Sequence, residues 1–372
     1  MTQKILAARV LMPDRTWVAD CPVTVRDGEI IAVGDDLPAD ATVDLDDLSL
    51  APGLLDMHTH GRMGCDFDGG TVDQMRRIRA DYARRGITAV FATLGSDTPD
   101  GWKTAVDRIQ KAGFEGIHFE GRYINPKKRG AHAPELLVPP DAAEFAGILD
   151  HVRLPFHVTA AYEMDADGSF AALCRERGAT MGLGHTDATY AQATAAMEAG
   201  VTCFTHLCNA MPPLHHREGG PICAALNSRS AFAELIVDGM HIVPEMVDLL
   251  WRALGPDRLV LITDSLAPTG LPDGDYFSTG QPITVKNGRA ETRDGVLAGS
   301  TLDLLQAVRN FVRFTGASLA DALTCASRNP ARALGVSDRF GMIAPGRRAD
   351  LIALSDDLSL RAVWQAGIRA DL

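Results

Sequence analysis

From residue 50 to residue 264 the chain alternates short apolar runs with amphipathic stretches. The runs lie at 50–60, 86–94, 116–120, 156–162, 180–185, 202–206, 233–238 and 259–264, and they predict eight strands. Segments at 72–85, 102–112, 141–151, 170–177, 188–199 and 244–254 carry the helical pattern. Strand–helix alternation of this kind predicts parallel strands joined by right-handed crossovers. Eight units that close on themselves make an α/β fold of the (β/α)8 TIM-barrel type over residues 52–338. An open doubly wound sheet is the competing arrangement. It is disfavoured because no Gly-rich phosphate fingerprint follows the first strand.

The two ends of the chain differ from this middle. Short alternating runs at 5–10, 16–25 and 29–33 read as strands, with Asp27-Gly28 as a turn between the last two. Pro52-Gly53 then punctuates the chain, and strands recur at 350–354 and 362–364 after the turn Pro345-Gly346. The ends, 1–51 and 339–372, are expected to pair into one small β-sandwich domain. Residues 277–296, with Asn287-Gly288 as a turn, read as a hairpin inserted after the eighth strand.

Composition narrows the function classes. The chain has 372 residues, 46% of them hydrophobic, which is ample for a large core. A net charge of −12 argues against a nucleic-acid groove, and an anionic substrate would need a local cationic pocket. No apolar stretch approaches a membrane span, and the N-terminus lacks a secretory pattern, so the expectation is a cytoplasmic protein without membrane contact. The seven cysteines form no CxxC pair and read as reduced thiols. Cys203 and Cys208 flank a histidine, but their spacing fits packing better than a zinc knuckle.

Polar residues collect at one end of the expected strands, where barrels place their chemistry. The first strand ends in Asp56-Met57-His58-Thr59-His60, and strand alternation puts Asp56, His58 and His60 on one face. Glu120 ends the third strand, His185 the fifth, His206 the sixth and Asp264 the eighth, and His241 follows the seventh. One such histidine would be an ordinary satisfied polar residue; five with two carboxylates at a single end point to a divalent-metal site. Glu120, His185 and His206 would leave a coordination position open for water, whose proton Asp264 could take and pass to a leaving amine. The bland alternative for Asp264 is a helix N-cap. For His132 it is a solvated basic loop, and for Arg217 a surface pair with Glu218. His215 and His216 remain open between assisting and merely exposed roles.

Several runs now support a resemblance over nearly the whole chain. They are Pro52-Gly-Leu-Leu-Asp-Met-His-Thr-His-Gly61, His118-Phe-Glu-Gly121, Lys128-Arg-Gly-Ala-His-Ala-Pro134, Gly184-His-Thr-Asp-Ala188, Thr205-His-Leu-Cys-Asn-Ala-Met211, Asp238-Gly-Met-His-Ile242, Thr263-Asp-Ser265, Leu297-Ala-Gly-Ser-Thr-Leu-Asp303 and 341–351. The chain resembles the amidohydrolase superfamily, and within it the N-acetylglucosamine-6-phosphate deacetylase family. The Thr-His-Leu-x-Asn-Ala-Met and Ala-Gly-Ser-Thr-Leu-Asp runs are the more specific carriers.

That resemblance implies a cofactor of one or two divalent ions, zinc foremost. Glu120, His185 and His206 match the main ligands, and His58 and His60 match a pair that holds a second ion in some members. Asp264 matches the general acid/base and His132 the residue that polarises the acetyl carbonyl. Asn209 and Ala210 match a loop that meets the sugar phosphate, and Arg217 and His241 its phosphate-binding pair, with the arginine lent by a second subunit of a homodimer. The implied reaction is metal-dependent deacetylation of N-acetyl-D-glucosamine 6-phosphate, within amino-sugar metabolism. Arg122 stands where the family usually has proline, and Gly219-Gly220 where it has Pro-Gly. Both are expected to border the sugar pocket. The rivals are an amidohydrolase for another N-acyl substrate, such as N-acetylgalactosamine 6-phosphate, and a non-catalytic sugar-phosphate-binding protein.

Overall fold

In the computed structural model, which describes residues 1–371, eight parallel strands form one sheet in sequence order. They are β1 Leu54–Thr59, β2 Ile87–Leu94, β3 Gly116–Glu120, β4 Phe156–Ala160, β5 Thr180–Leu183, β6 Cys203–Phe204, β7 Phe232–Ile236 and β8 Leu259–Ile262. The sheet closes where the chain leaving β8 meets β1. Asp264 N–H donates to His58 O at 2.8 Å. Thr263 donates from N–H and from Oγ1–H to the Asp56 carboxylate, at 3.3 and 2.6 Å. This is the expected closed (β/α)8 barrel, not the open sheet. Every residue of β2 is buried, as befits a strand covered on both faces.

One helix follows each of the first seven strands: α1 Val72–Arg84, α2 Pro99–Ala112, α3 Ala142–Leu149, α4 Ser169–Glu176, α5 Tyr190–Glu198, α6 Gly220–Asn227 and α7 Pro244–Leu254. Their starts are written locally. Thr71 with Gln74, and Thr189 with Gln192, form reciprocal capping boxes on α1 and α5. On α2, Thr98 caps, Pro99 opens and Gly113 closes in the left-handed region. Trp102 on its inner face packs edge-on to Phe119 at 5.2 Å and donates Nε1–H to Gly95 O at 2.6 Å, which ties the helix to the end of β2.

Three features differ from the sequence expectation. Helix α6 begins at Gly219-Gly220-Pro221, residues that look like loop, and is not among the segments read from the pattern. The insertion after β8 is a three-stranded antiparallel meander, Gly274–Ser278, Gln281–Lys286 and Arg289–Thr292, not a hairpin. Its first strand is too polar to register as an apolar run. Asn287 and Gly288 do form its second turn, both with positive φ. At the N-terminus the runs 5–10 and 16–25 each split in two, because the chain crosses between two sheets.

Strands from both ends build those sheets. A six-stranded sheet joins Ile368–Arg369, Leu360–Gln365 and Leu351–Leu354 to Ser49–Pro52, Arg9–Leu11 and Trp17–Ala19. A four-stranded sheet holds Glu29–Val33, Val23–Arg26, Thr2–Leu6 and Ala41–Asp44. Ile5, Val10, Val23, Ile30, Leu351 and Trp364 share one buried cluster within this small β sandwich. Among the described residues no helix is long and apolar enough to cross a membrane.

The Asp56–Thr263 contact predicts a stability effect. Asp56→Ala leaves the buried Thr263 groups without their acceptor, at a cost of about 1–3 kcal/mol, and Asp56→Asn, which keeps an acceptor, costs less. Urea unfolding of the metal-free protein measures both, and equal stability of all three forms would contradict the assignment.

Candidate active site

Glu120, the last residue of β3, is buried at the barrel mouth between two groups of imidazoles. Its Oε1 lies 2.9 Å from His206 Nε2 and 3.3 Å from His185 Nε2. Its Oε2 lies 3.0 Å from His60 Nε2 and 3.2 Å from His58 Nε2. Asp264 Oδ1 approaches the same two nitrogens, at 3.3 Å from His60 and 3.5 Å from His58. The result is two overlapping sets that share Glu120: Glu120, His185 and His206, and His58, His60, Glu120 and Asp264.

The strands stop sooner than the pattern suggests. His185, His206 and Asp264 stand two residues beyond β5, β6 and β8, with φ of 45°, 29° and 48°. Left-handed backbone is strained for such residues and clusters at functional sites. Here the strain accompanies side chains gathered over one point, which extended strand ends would carry outward.

Charge in this ring is finely opposed. Burial disfavours the charged form of His60, yet Asp264 and Glu120 hold its imidazolium up to about 9. Burial likewise works against His58, and the two carboxylates raise it well above the usual imidazole range. Burial would raise Asp264, but His58 and His60 bring it down to about 2. Glu120 is likewise held well below the ordinary carboxylate range against its burial, by His58 and by its bonds to His185 and His206.

A cavity of about 260 Å³ opens onto the ring, lined by His60, Glu120, His132, His185, His206, Asn209, Ala210, His241 and Asp264 among others. His132 is pushed down to about 3 by burial and by the neighbouring His185, so its ring is neutral. Ser96 Oγ accepts from the Arg122 amide at 2.8 Å and lies 2.9 Å from His132 Nδ1. A serine proton directed at Nδ1 would leave His132 its own proton on Nε2, the nitrogen 3.9 Å from Glu120 Oε2. His241 Nδ1 is held by Asp238 Oδ2 at 2.7 Å.

Not every expected residue reaches the cavity. Arg217 sits on an exposed loop with its guanidinium 2.7 Å from His216 Nε2, and it does not line the cavity. Arg122 turns away to Glu144 at 2.9 Å and to Asp97 O, and Gly219-Gly220 start α6, so neither departure borders the pocket as expected. The pattern passed over Ser96 and Thr279, which do line it, and Glu234, buried beneath His58; residues 297–299 line it too, within the Leu297–Asp303 run that carries the resemblance. Glu234 could have been found as a lone carboxylate inside an apolar run; Ser96 and Thr279 carry no local signal. All seven cysteines are free; Cys203 lies below the ring, 4.0 Å from Glu234 Oε1.

Known proteins place this architecture. The Amidohydrolase family model matches residues 49–369. The chain is 34% identical to an N-acetylgalactosamine-6-phosphate deacetylase of Escherichia coli O157:H7, with 98% of each chain covered. It is 33% identical to the N-acetylglucosamine-6-phosphate deacetylase of Homo sapiens, over 98% of this chain and 93% of that protein. A solved Mycobacterium smegmatis N-acetyl-D-glucosamine-6-phosphate deacetylase mutant, in complex with N-acetyl-D-glucosamine-6-phosphate, superposes with a TM-score of 0.92 at 34% identity, covering 99% of each chain.

The ring's own atoms fit a divalent cation. His185 Nδ1 lies 2.8 Å from Lys128 O and donates to it, so Nε2 is the atom it turns to the ring, 3.3 Å from Glu120 Oε1 and 3.0 Å from His206 Nε2. His58 Nε2 is buried without a hydrogen-bond partner. Imidazole nitrogens and carboxylate oxygens that converge on shared points are a donor set suited to a cation, whose charge would offset that of Glu120 and Asp264. In the metal-free chain, protons on His58 and His60 do this neutralising; an ion must displace them. Titrating a divalent ion into metal-free protein at about pH 7 should therefore release on the order of one proton per ion, and retention should fall as pH falls. An indicator dye in weak buffer reads the release, and its absence would contradict the fit. With this ring at the mouth of a β/α barrel, and with the family match running from residue 49 to residue 369, the chain belongs to the amidohydrolase family.

Proposed function

We propose that this chain is a metal-dependent deacetylase that converts N-acetyl-D-glucosamine 6-phosphate to D-glucosamine 6-phosphate and acetate. The observation that carries the reading is the double ring centred on Glu120, open to a cavity that also presents Asp264 and neutral His132. The name of the human relative and the sugar phosphate held by the M. smegmatis protein support the substrate. Zinc is the ion best suited to these donors, with Glu120, His185 and His206 as one ligand set and His58 and His60 completing a second. When bound, such an ion supplies Lewis acidity for the acetamide carbonyl and acidifies water.

The side chains divide the remaining work. Asp264, kept ionised, takes a proton from the attacking water on Oδ1 and returns it to the departing amine nitrogen. His132, with its proton on Nε2, donates to the acetyl oxygen as negative charge grows there. Asn209 and Ala210 meet the sugar phosphate, and His241 reaches it with Asp238 steadying its far nitrogen. No lysine or arginine lines the cavity among the described residues. A phosphate there needs a cation, and Arg217, exposed and outside its own cavity, fits a homodimer in which each copy lends this residue to the other. We take the barrel as residues 52–338 and the small domain as 1–51 with 339–372.

Three measurements test this. Asp264→Asn should retain its metal and lose about 10²–10⁴-fold in kcat; near-normal turnover would sink the acid/base assignment. Arg217→Ala should raise KM for the 6-phosphate by about tenfold, a loss of about 1.4 kcal/mol, without changing use of the unphosphorylated sugar. An acetate-release panel should rank the gluco epimer above the galacto epimer by kcat/KM. The reverse order would move the sugar assignment and leave the chemistry standing.

A further inference from the structure

Beneath the ring, Glu234 projects from the middle of β7 and is completely buried. Among the described residues no lysine or arginine pairs with it; its partners are His58 Nδ1 at 3.0 Å, the His206 N–H at 3.1 Å and, more distantly, Cys203 Sγ. A carboxylate isolated in this way is costly to bury unless its hydrogen bonds return the loss. One oxygen, Oε2, accepts both of the strong ones, and each belongs to a residue of the ring.

We propose that Glu234 is a positioning residue that fixes His58 with its Nε2 lone pair aimed at Glu120 and Asp264, and so makes the His58–His60 half of the ring able to hold its own divalent ion. This rests on the metal-dependent reading above. Glu234 Oε2, which already accepts the His206 N–H, takes the 3.0 Å contact from a proton on His58 Nδ1. Nε2 is then the ring's free donor atom. It has no hydrogen-bond partner and lies 3.2 Å from Glu120 Oε2 and 3.5 Å from Asp264 Oδ1, where a cation would answer all three. The His118 ring stands edge-on at 4.5 Å, so His58 cannot turn over without displacing it. His118 is itself clamped by Thr93 and Thr159. The same Oε2 grips the backbone of His206, which belongs to the other half of the ring, so Glu234 also sets the spacing between the two ion positions.

A carboxylate behind a ligating imidazole typically tunes metal affinity ten- to a hundredfold. Zinc-loaded wild type and Glu234→Gln should be dialysed against graded chelator and their zinc counted. The expected result is that wild type holds two ions and that the variant surrends one of them at ten- to a hundredfold less chelator. Identical retention curves would overturn the inference. A wild type that holds a single ion would overturn it too while leaving the metal-dependent reading intact; a wild type that holds none would overturn that reading instead. Imidazole ¹⁵N–¹H spectra of the zinc-loaded wild type supply a readout that needs no variant: His58 should carry its proton on Nδ1 with Nε2 ligated. A proton on Nε2 would refute the proposal even if Glu234→Gln failed to fold.

Discussion

Closure of the barrel is the constraint on which the site depends. Eight parallel strands leave two edges, and those edges meet through the Asp264 amide on His58 O and through Thr263 on the Asp56 carboxylate. The same few residues that join the edges carry His58 and Asp264 as side chains. The seam that satisfies the last backbone groups of the sheet therefore also brings the acid/base candidate within 3.5 Å of two imidazoles. An open sheet would leave β1 and β8 at opposite ends, and no set of four could form.

Given that closure, the interior beneath the mouth becomes an electrostatic problem. His58, Glu120 and Glu234 are buried together with little access to water. Neutral rings alone would leave lone pairs facing carboxylates. The Thr93–His118–Thr159–Thr205 chain of hydroxyl and ring contacts, each within 3.1 Å, absorbs the neighbouring polar groups without adding charge. Where the ring meets the cavity, charge is thus confined to Glu120 and Asp264 set against His58 and His60.

Much of this was legible in the chain itself. The barrel is readable because strands covered on both faces must be apolar and crossover helices must be amphipathic. Glu120, His185, His206 and Asp264 are readable because each breaks an apolar run at the same end. The remainder depends on contacts that no local pattern encodes. Helix α6 hides behind two glycines and a proline, and β6 is only two residues long, held by its neighbours and not by propensity. Arg122 reads as a pocket residue until its partner Glu144 is seen, and Ser96 has no visible role until the fold brings it to His132. Arg217 was legible only through family likeness, and its place in this fold is away from its own cavity.

The meander after β8 has an implication for how such a protein can change over generations. It rests on a miniature core of its own, Leu266, Ile283, Val285, Ala290 and Ala298, separate from the large core under the barrel. Thr279 and residues 296–299 nevertheless overhang the cavity. Roof and floor of the cavity thus take their apolar support from different packing units, joined mainly through backbone bonds such as Ser300 N–H to Asp264 O at 2.7 Å. Lineages can redraft the roof, altering which acylated sugar is admitted, while the ion-holding floor is inherited unaltered.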